Sequence, residues 1–231
     1  MTRISYIVAG AKSWNRRVFD EVISKYPGAW QFVSRPEELT LDKVSRLAPR
    51  YIFFLHWSWK VPTEIINDYE CVCFHMTDVP YGRGGSPLQN LIVRGIRHSK
   101  LTALRMVENF DAGPVYLKRD ICLEGNAEEI YIRASDLSAQ MIGQIIEEHP
   151  TPQTQEGEAV IFERRQPHES KIPALPDLGA LHDFVRMLDA EGYPRAFIEH
   201  EGFHYEFSRA VIYHDRIVAD VVITPRERKN K

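Results

Sequence analysis

The chain has 231 residues, of which 44% are hydrophobic and 26% charged, with a formal net charge of -3. That is enough apolar material for one substantial core plus a small appendage. No apolar run approaches the roughly 20 residues of a bilayer-spanning helix, and the acidic balance gives no general attraction to nucleic acid. Cys71, Cys73 and Cys122 form no paired framework, and the N-terminus lacks a charged-then-apolar signal pattern, so a cytoplasmic protein is expected.

Ile4 to Ala9 is a β-rich apolar run closed by Gly10, and Val18 to Tyr26 has helical spacing, which makes a β-turn-α opening. Tyr51 to Leu55 reads as a buried strand, Thr63 to Asn67 as a short helix behind Pro62, and Glu70 to Phe74 as the next strand. Ser86 to Ile96 reads as a helix with Pro87 in its first turn. Thr102 to Met106 and Pro114 to Ile121 read as strands, and Ala127 to Glu147 as a long helix stopped by His149-Pro150. The alternation predicts an α/β fold: a Rossmann-like, mostly parallel sheet flanked by helices, forming a catalytic domain over residues 1–160. The polar, turn-rich stretch Thr151 to Glu158 then changes the pattern. Leu178 to Leu188 follows as an amphipathic helix and Ala196 to Ile223 as short strands, a small α+β region over 161–231. The basic run Arg226 to Lys231 reads as a solvated tail.

His75 stands at the end of an apolar run, directly ahead of a loop in which Pro80 fixes φ and Gly82, Gly84 and Gly85 allow close backbone approach. Ligands on open α/β sheets sit outside the carboxyl ends of the strands, where Gly10, Leu55, His75 and the loop of Asp111 are expected. A histidine is the natural proton handler near neutral pH. An ionised Asp111 beside it would fix the ring and favour its charged form; a turn-capping role is the alternative. Cys73 reads as a packing residue, a weak donor or a nucleophile. Gly10-Ala-Lys12-Ser13-Trp14-Asn15 opens the first helix, where free N–H groups and Lys12 suit a phosphate, although Lys12 equally reads as a solvated turn residue. No metal is expected, since Cys71-x-Cys73 falls short of a zinc ligand set.

These segments resemble the N10-formyltetrahydrofolate-dependent formyltransferases, which carry Asn-x-His, a Leu-Pro-x-x-Arg-Gly loop with a following Gln, and an Asp-x-Gly pair before a strand. His75, Val79-Pro80, Arg83-Gly84, Gln89, Asp111 and Gly113 stand in those places. Cys73 stands where the family has Asn, and a thiol is a weaker donor than a carboxamide. The missing oxyanion donor is then sought in His75, Thr77, Asn90 or a bound water, with His56 a further candidate. The resemblance implies 10-formyltetrahydrofolate as formyl donor. Its pterin would lie against Trp57, Ser58, Trp59 and Lys60 and against Val107, Asn109 and Phe110, near Arg83 and Gly84.

In the tail, Arg164, Arg165, Pro167, Glu169, Arg186, Leu188, Tyr193 and Pro194 match a pattern of amino-sugar formyltransferases. The acceptor expected from that match is a nucleotide-linked amino sugar, a 4-amino-4,6-dideoxy hexose destined for surface glycan. Gly10, Lys12, Ser13, Trp14, Asn15, Thr77, Asn90, Arg164 and Arg165 would hold it. The alternatives are methionyl-tRNA or another amine as acceptor, or a catalytically degenerate protein that binds folate or nucleotide sugar. A homodimer through the tail or the sheet edge is compatible with the sequence.

Overall fold

The computed structural model describes residues 3–226, so that residues 227–231 of the basic run lie outside it. The chain runs β1 (Ser5–Gly10), α1 (Ser13–Glu21), β2 (Ala29–Val33), α2 (Leu41–Leu47), β3 (Tyr51–Leu55), α3 (Thr63–Asp68), β4 (Cys71–His75), β5 (Tyr81–Gly84) and α4 (Pro87–Ile92). It continues through β6 (His98–Arg105), β7 (Val115–Cys122), α5 (Ala127–Glu148), β8 (Val160–Phe162), α6 (Leu178–Arg186), β9 (Ala196–His200), β10 (Phe203–Ile212) and β11 (Ile217–Pro225). Six strands form the main sheet in the order β2-β1-β3-β4-β6-β7. The first four are parallel, while β6 and β7 join antiparallel. The expected α/β architecture is present, with the parallel part confined to the half that carries the strand ends of interest.

Alternation along the strands divides the core between two faces. Tyr6 and Val8, Tyr51 and Phe53, and Val72 face the layer that includes Val18 of α1, Leu91 of α4 and Ile142 of α5. Ile7, Ala9, Ile52, Phe54 and Cys71 face Val44 of α2 and Ile65 of α3. Phe53 has no exposed surface, and truncating such a side chain to alanine costs about 3–5 kcal/mol. The chain passes from β1 outward to β2 and then back across to β3, so the carboxyl ends of β1 and β3 form the point where strand order reverses. The end of β4 is adjacent.

Several elements depart from their expected bounds for identifiable reasons. The first helix begins at Ser13 rather than Val18, because the Asn15 side-chain oxygen accepts the Lys12 N–H and holds the first turn. Regular helix then stops at Glu21, and Ile23–Lys25 is a single 3₁₀ turn. The Pro87 helix ends at Ile92 rather than Ile96, with Gly95 at φ 71° and the Ile96 N–H donating to Leu91 O, a Schellman closure. The small sheet β11-β10-β9 packs its β10 against α6. Val218, Val221, Val222 and Ile223 of its edge strand are exposed. Among the described residues, no helix is long and apolar enough to cross a membrane.

Candidate active site

Cys71, Cys73 and His75 alternate along β4 and so share one face of the sheet. At the level of Cys71 that face is covered by α3. Beyond it the loop between β6 and β7 folds over, bringing the Asp111 Oδ2 to 3.5 Å from His75 Nδ1. The other ring nitrogen, Nε2, lies 2.7 Å from Gly82 O, on β5. Both nitrogens of a buried imidazole thus face oxygen acceptors. A neutral ring can donate to only one of them, whereas the doubly protonated ring serves both. Asp111 itself is fixed by the Gly84 N–H, which donates to the same Oδ2 at 2.9 Å. Gly82 has φ 77°, and a Cβ there would meet Phe162 and Thr77 at 2.7 Å, so only glycine brings this carbonyl under the ring.

The segment after α5, a polar linker by sequence, closes the site. Gln153 exchanges backbone hydrogen bonds with Val115 at 2.7 and 2.8 Å, and β8 pairs with β5. Between these two attachments, the Gln155 amide donates to Asp111 O at 2.8 Å and to Gly113 O at 2.7 Å. Its oxygen accepts from Arg83 Nε and Nη2 at 3.0 and 2.8 Å. Sequence reasoning missed Gln155, because nothing local in a turn-rich stretch signals a contact to Asp111, 44 positions earlier.

A solved methionyl-tRNA formyltransferase from Clostridium thermocellum is 46% identical to this chain, covers 96% of it and 99% of its own length, and superposes with a TM-score of 0.91. The chain belongs to the formyltransferase family. A family model described as methionyl-tRNA formyltransferase, C-terminal domain, matches residues 167–224. A curated methionyl-tRNA formyltransferase from Rickettsia felis is 29% identical over 107 residues, 45% of this chain and 35% of that protein, so the match spans about a third of its length. HypX from Aquifex aeolicus, solved in complex with tetrahydrofolic acid, shares the fold at 18% identity and a TM-score of 0.71, covering 90% of this chain and 38% of that one.

In this formyltransferase, burial pushes the Cys73 thiol far up, and the nearby Asp111 charge adds to it. A neutral thiol is neither nucleophile nor metal ligand. Cys71 is likewise pushed up to about 12 by burial. Among the described residues no group of three or more His, Cys, Asp or Glu side chains is placed to hold a metal. Two of the donors expected to replace the family's Asn, Thr77 and Asn90, have partners within the chain. Thr77 Oγ1 donates to Gly82 O at 3.3 Å. Asn90 Nδ2 lies 3.1 Å from Gly85 O, Ser86 O and Glu163 O, holding the glycine loop against β8.

The expected folate residues divide into a half-buried and an exposed set. Trp57 packs on Phe54 and stacks edge-on against Trp59, and its Nε1 is buried with no partner among the described residues. Ser58, Trp59, Lys60, Val107 and Asn109 are exposed, and Phe110 is 81% exposed. Arg83, expected to touch folate, has two of its donors on Gln155.

Most of the expected acceptor residues already have partners within the chain. Lys12 Nζ donates to Glu191 O at 2.9 Å, and Ser13 Oγ donates to the Glu191 carboxylate at 2.6 Å, so a negative charge already stands at this turn. Trp14 is buried, stacked on Tyr131. Asn15 donates to Ser135 Oγ at 3.2 Å. Trp14 and Asn15 line a cavity of about 40 Å³ together with Leu55, His56 and Tyr131, room for a water. Arg165 lies over Phe184 and donates to Glu169 O at 2.6 Å. Burial lowers its pKa, a desolvated setting rather than an open fork. Arg164 has its backbone and Cβ against Gly85, and the residue is exposed. His56, enclosed by Trp14, Tyr131 and Tyr193, has Nε2 3.1 Å from the Tyr193 hydroxyl and is a structural link to the tail.

Proposed function

We propose that this chain transfers the formyl group of 10-formyltetrahydrofolate to a primary amine, and that the amine is the α-amino group of methionyl-tRNA. The His75–Asp111 geometry supports the chemistry. The incoming nitrogen attacks the formyl carbon, the C–N10 bond of the donor breaks, and the proton shed by the amine must reach N10. His75, flanked by the Asp111 carboxylate and the Gly82 carbonyl, is a ring that can hold a positive charge facing a tetrahedral oxyanion. The exposed Phe110 and Trp59 offer the donor apolar surface.

The single observation that favours methionyl-tRNA is the 46% identity, over nearly the whole of both chains, to a protein described by that activity. It outweighs the nucleotide-linked amino sugar expected from the tail pattern, whose expected contacts Lys12, Ser13 and Arg165 are engaged with Glu191 and Glu169. It also replaces the expectation that RNA is not a partner. A net charge of -3 describes the chain as a whole, while docking of an acceptor stem depends on local charge.

The test is to incubate the protein with 10-formyltetrahydrofolate and, in parallel, methionyl-tRNA, free methionine or a nucleotide-linked amino sugar, following tetrahydrofolate release and the mass of the product. Formyl-methionyl-tRNA as the efficiently formed product is expected. Turnover with another amine and none with methionyl-tRNA would overturn the acceptor and leave the chemistry standing. No transfer to any amine would overturn both.

A further inference from the structure

The carboxamide of Gln155 uses every hydrogen-bonding valence it has. Two N–H groups donate to Asp111 O and Gly113 O, and the oxygen accepts two bonds from the Arg83 guanidinium. Arg83 can only donate, so it dictates which end of the amide turns toward the loop, and the two N–H groups must face the loop carbonyls. The loop needs such a hold. Asp111 sits at φ 53°, a left-handed conformation that a side-chain-bearing residue adopts at a cost. At Gly113 a Cβ would collide with Arg105 O, so the backbone there is pressed onto the end of β6. Gln155 bonds the carbonyls on either side of Ala112 and thereby fixes the peptide planes that aim the Asp111 carboxylate at His75.

We propose that Gln155 is a positioning residue for formyl transfer, acting through Asp111 and oriented by Arg83. The carboxamide links the glycine loop bearing Arg83 to the Asp111 loop, and so sets the His75–Asp111 separation. The assignment rests on the formyltransferase reading for its kinetic consequence, while its geometric content stands without it.

The decisive variant is Gln155→Glu, which keeps shape and the Arg83 contact but replaces two donors with a lone-pair-bearing oxygen facing two carbonyls. A kcat loss of about ten- to a hundredfold is expected, the scale of a sub-ångström misplacement of a reacting group. In an Asp111→Asn background the same change should cost less than about threefold, since a residue that acts through Asp111 has nothing left to position. Gln155→Leu serves as the second variant should the glutamate disturb folding. Independently of turnover, nitrogen-15 NMR of the His75 ring in the free protein should show the Nδ1 environment of Asp111→Asn reproduced in Gln155→Glu. An equal loss in both backgrounds, wild-type kcat in Gln155→Glu, or an unchanged His75 ring spectrum would overturn the proposal. Absence of formyl transfer by the unmutated protein would instead count against the proposed function, with the ring spectrum still deciding the role of Gln155.

Discussion

Asp111→Asn isolates a single physical quantity. The same oxygen, Oδ2, accepts the Gly84 N–H at 2.9 Å and faces His75 Nδ1 at 3.5 Å. An asparagine with its carbonyl oxygen in that place keeps the shape and the Gly84 bond and removes only the charge. A unit charge 3.5 Å from a protonated imidazole is worth about 1 kcal/mol at a water-like dielectric and about 5 kcal/mol at an effective constant of about 20. The two side chains are 8% and 16% exposed, which puts the pair between these limits and nearer the second. The charge matters for rate to the extent that His75 is more positive in the transition state than before it. A loss in kcat of about a hundredfold is the central expectation, at about 1.4 kcal/mol per decade. Single-turnover formyl transfer with saturating donor, read as tetrahydrofolate release, measures it free of product release. Circular dichroism and the melting temperature check that the variant is folded. A folded Asp111→Asn protein within threefold of wild type would refute the argument, because it would show that His75 gains little positive charge on the way to the transition state.

Three further outcomes follow from other parts of the structure. Cys73→Ser should retain kcat within about tenfold, since a half-buried thiol held neutral contributes packing rather than chemistry; a trapped formyl thioester or stoichiometric zinc would contradict this. Arg186→Ala removes a buried guanidinium that binds Asp183 Oδ1 at 2.6 Å and both Leu123 O and Gly125 O at 2.7 Å. It should cost about 3–5 kcal/mol and lower the melting temperature on the order of 10 °C, and a shift under about 2 °C would show the tail to be held otherwise. Burial, and then the Lys12 charge, lowers the His56 pKa to about 4, below the unfolded value of about 6.5. The unfolded chain therefore binds the extra proton first, and the contribution of neutral His56 is fully present above about pH 6.5 and is lost as pH falls toward 4. At most about 3 kcal/mol is involved, less to the extent that water reaches the ring. Melting temperatures at pH 7.5 and 5 should differ less in His56→Gln than in wild type, and equal differences would remove His56 as a source of acid sensitivity.

What the sequence disclosed about the fold depends on where burial was complete. Tyr51 to Leu55 is buried at all five positions and was legible to the residue, and the Asn126-capped helix ends within one residue of its expected stop at Glu147. The stretch from Ala29 to Leu47 yielded no element, although β2 and α2 lie there. As an edge strand, β2 buries only Val33 fully, and α2 buries only Val44, so neither leaves a strong periodic signal. The direction of β6 was not legible either. Its first residues, His98, Ser99 and Lys100, are polar because that end pairs at the rim with β7, and direction is a property of the partner rather than of the strand.

The site shows the same division at finer scale. His75 and Asp111 were legible because the glycines around them reflect a backbone constraint that Gly82 and Gly113 make explicit. The partners of the expected acceptor residues were not legible, for the opposite reason. A lysine and a serine at a helix start look identical in sequence whether they face solvent or Glu191, which lies 178 positions away from Ser13. Gln155 belongs to this second class, a polar residue whose meaning is entirely in its partners. The His75–Asp111 pair is thus encoded locally, while Gln155, which bonds the Asp111 loop, lies in a segment that reads as a linker. A formyltransferase with the motif residues intact and a shortened or repacked stretch before β8 should therefore keep its fold and donor seat while losing the alignment of Asp111 on His75.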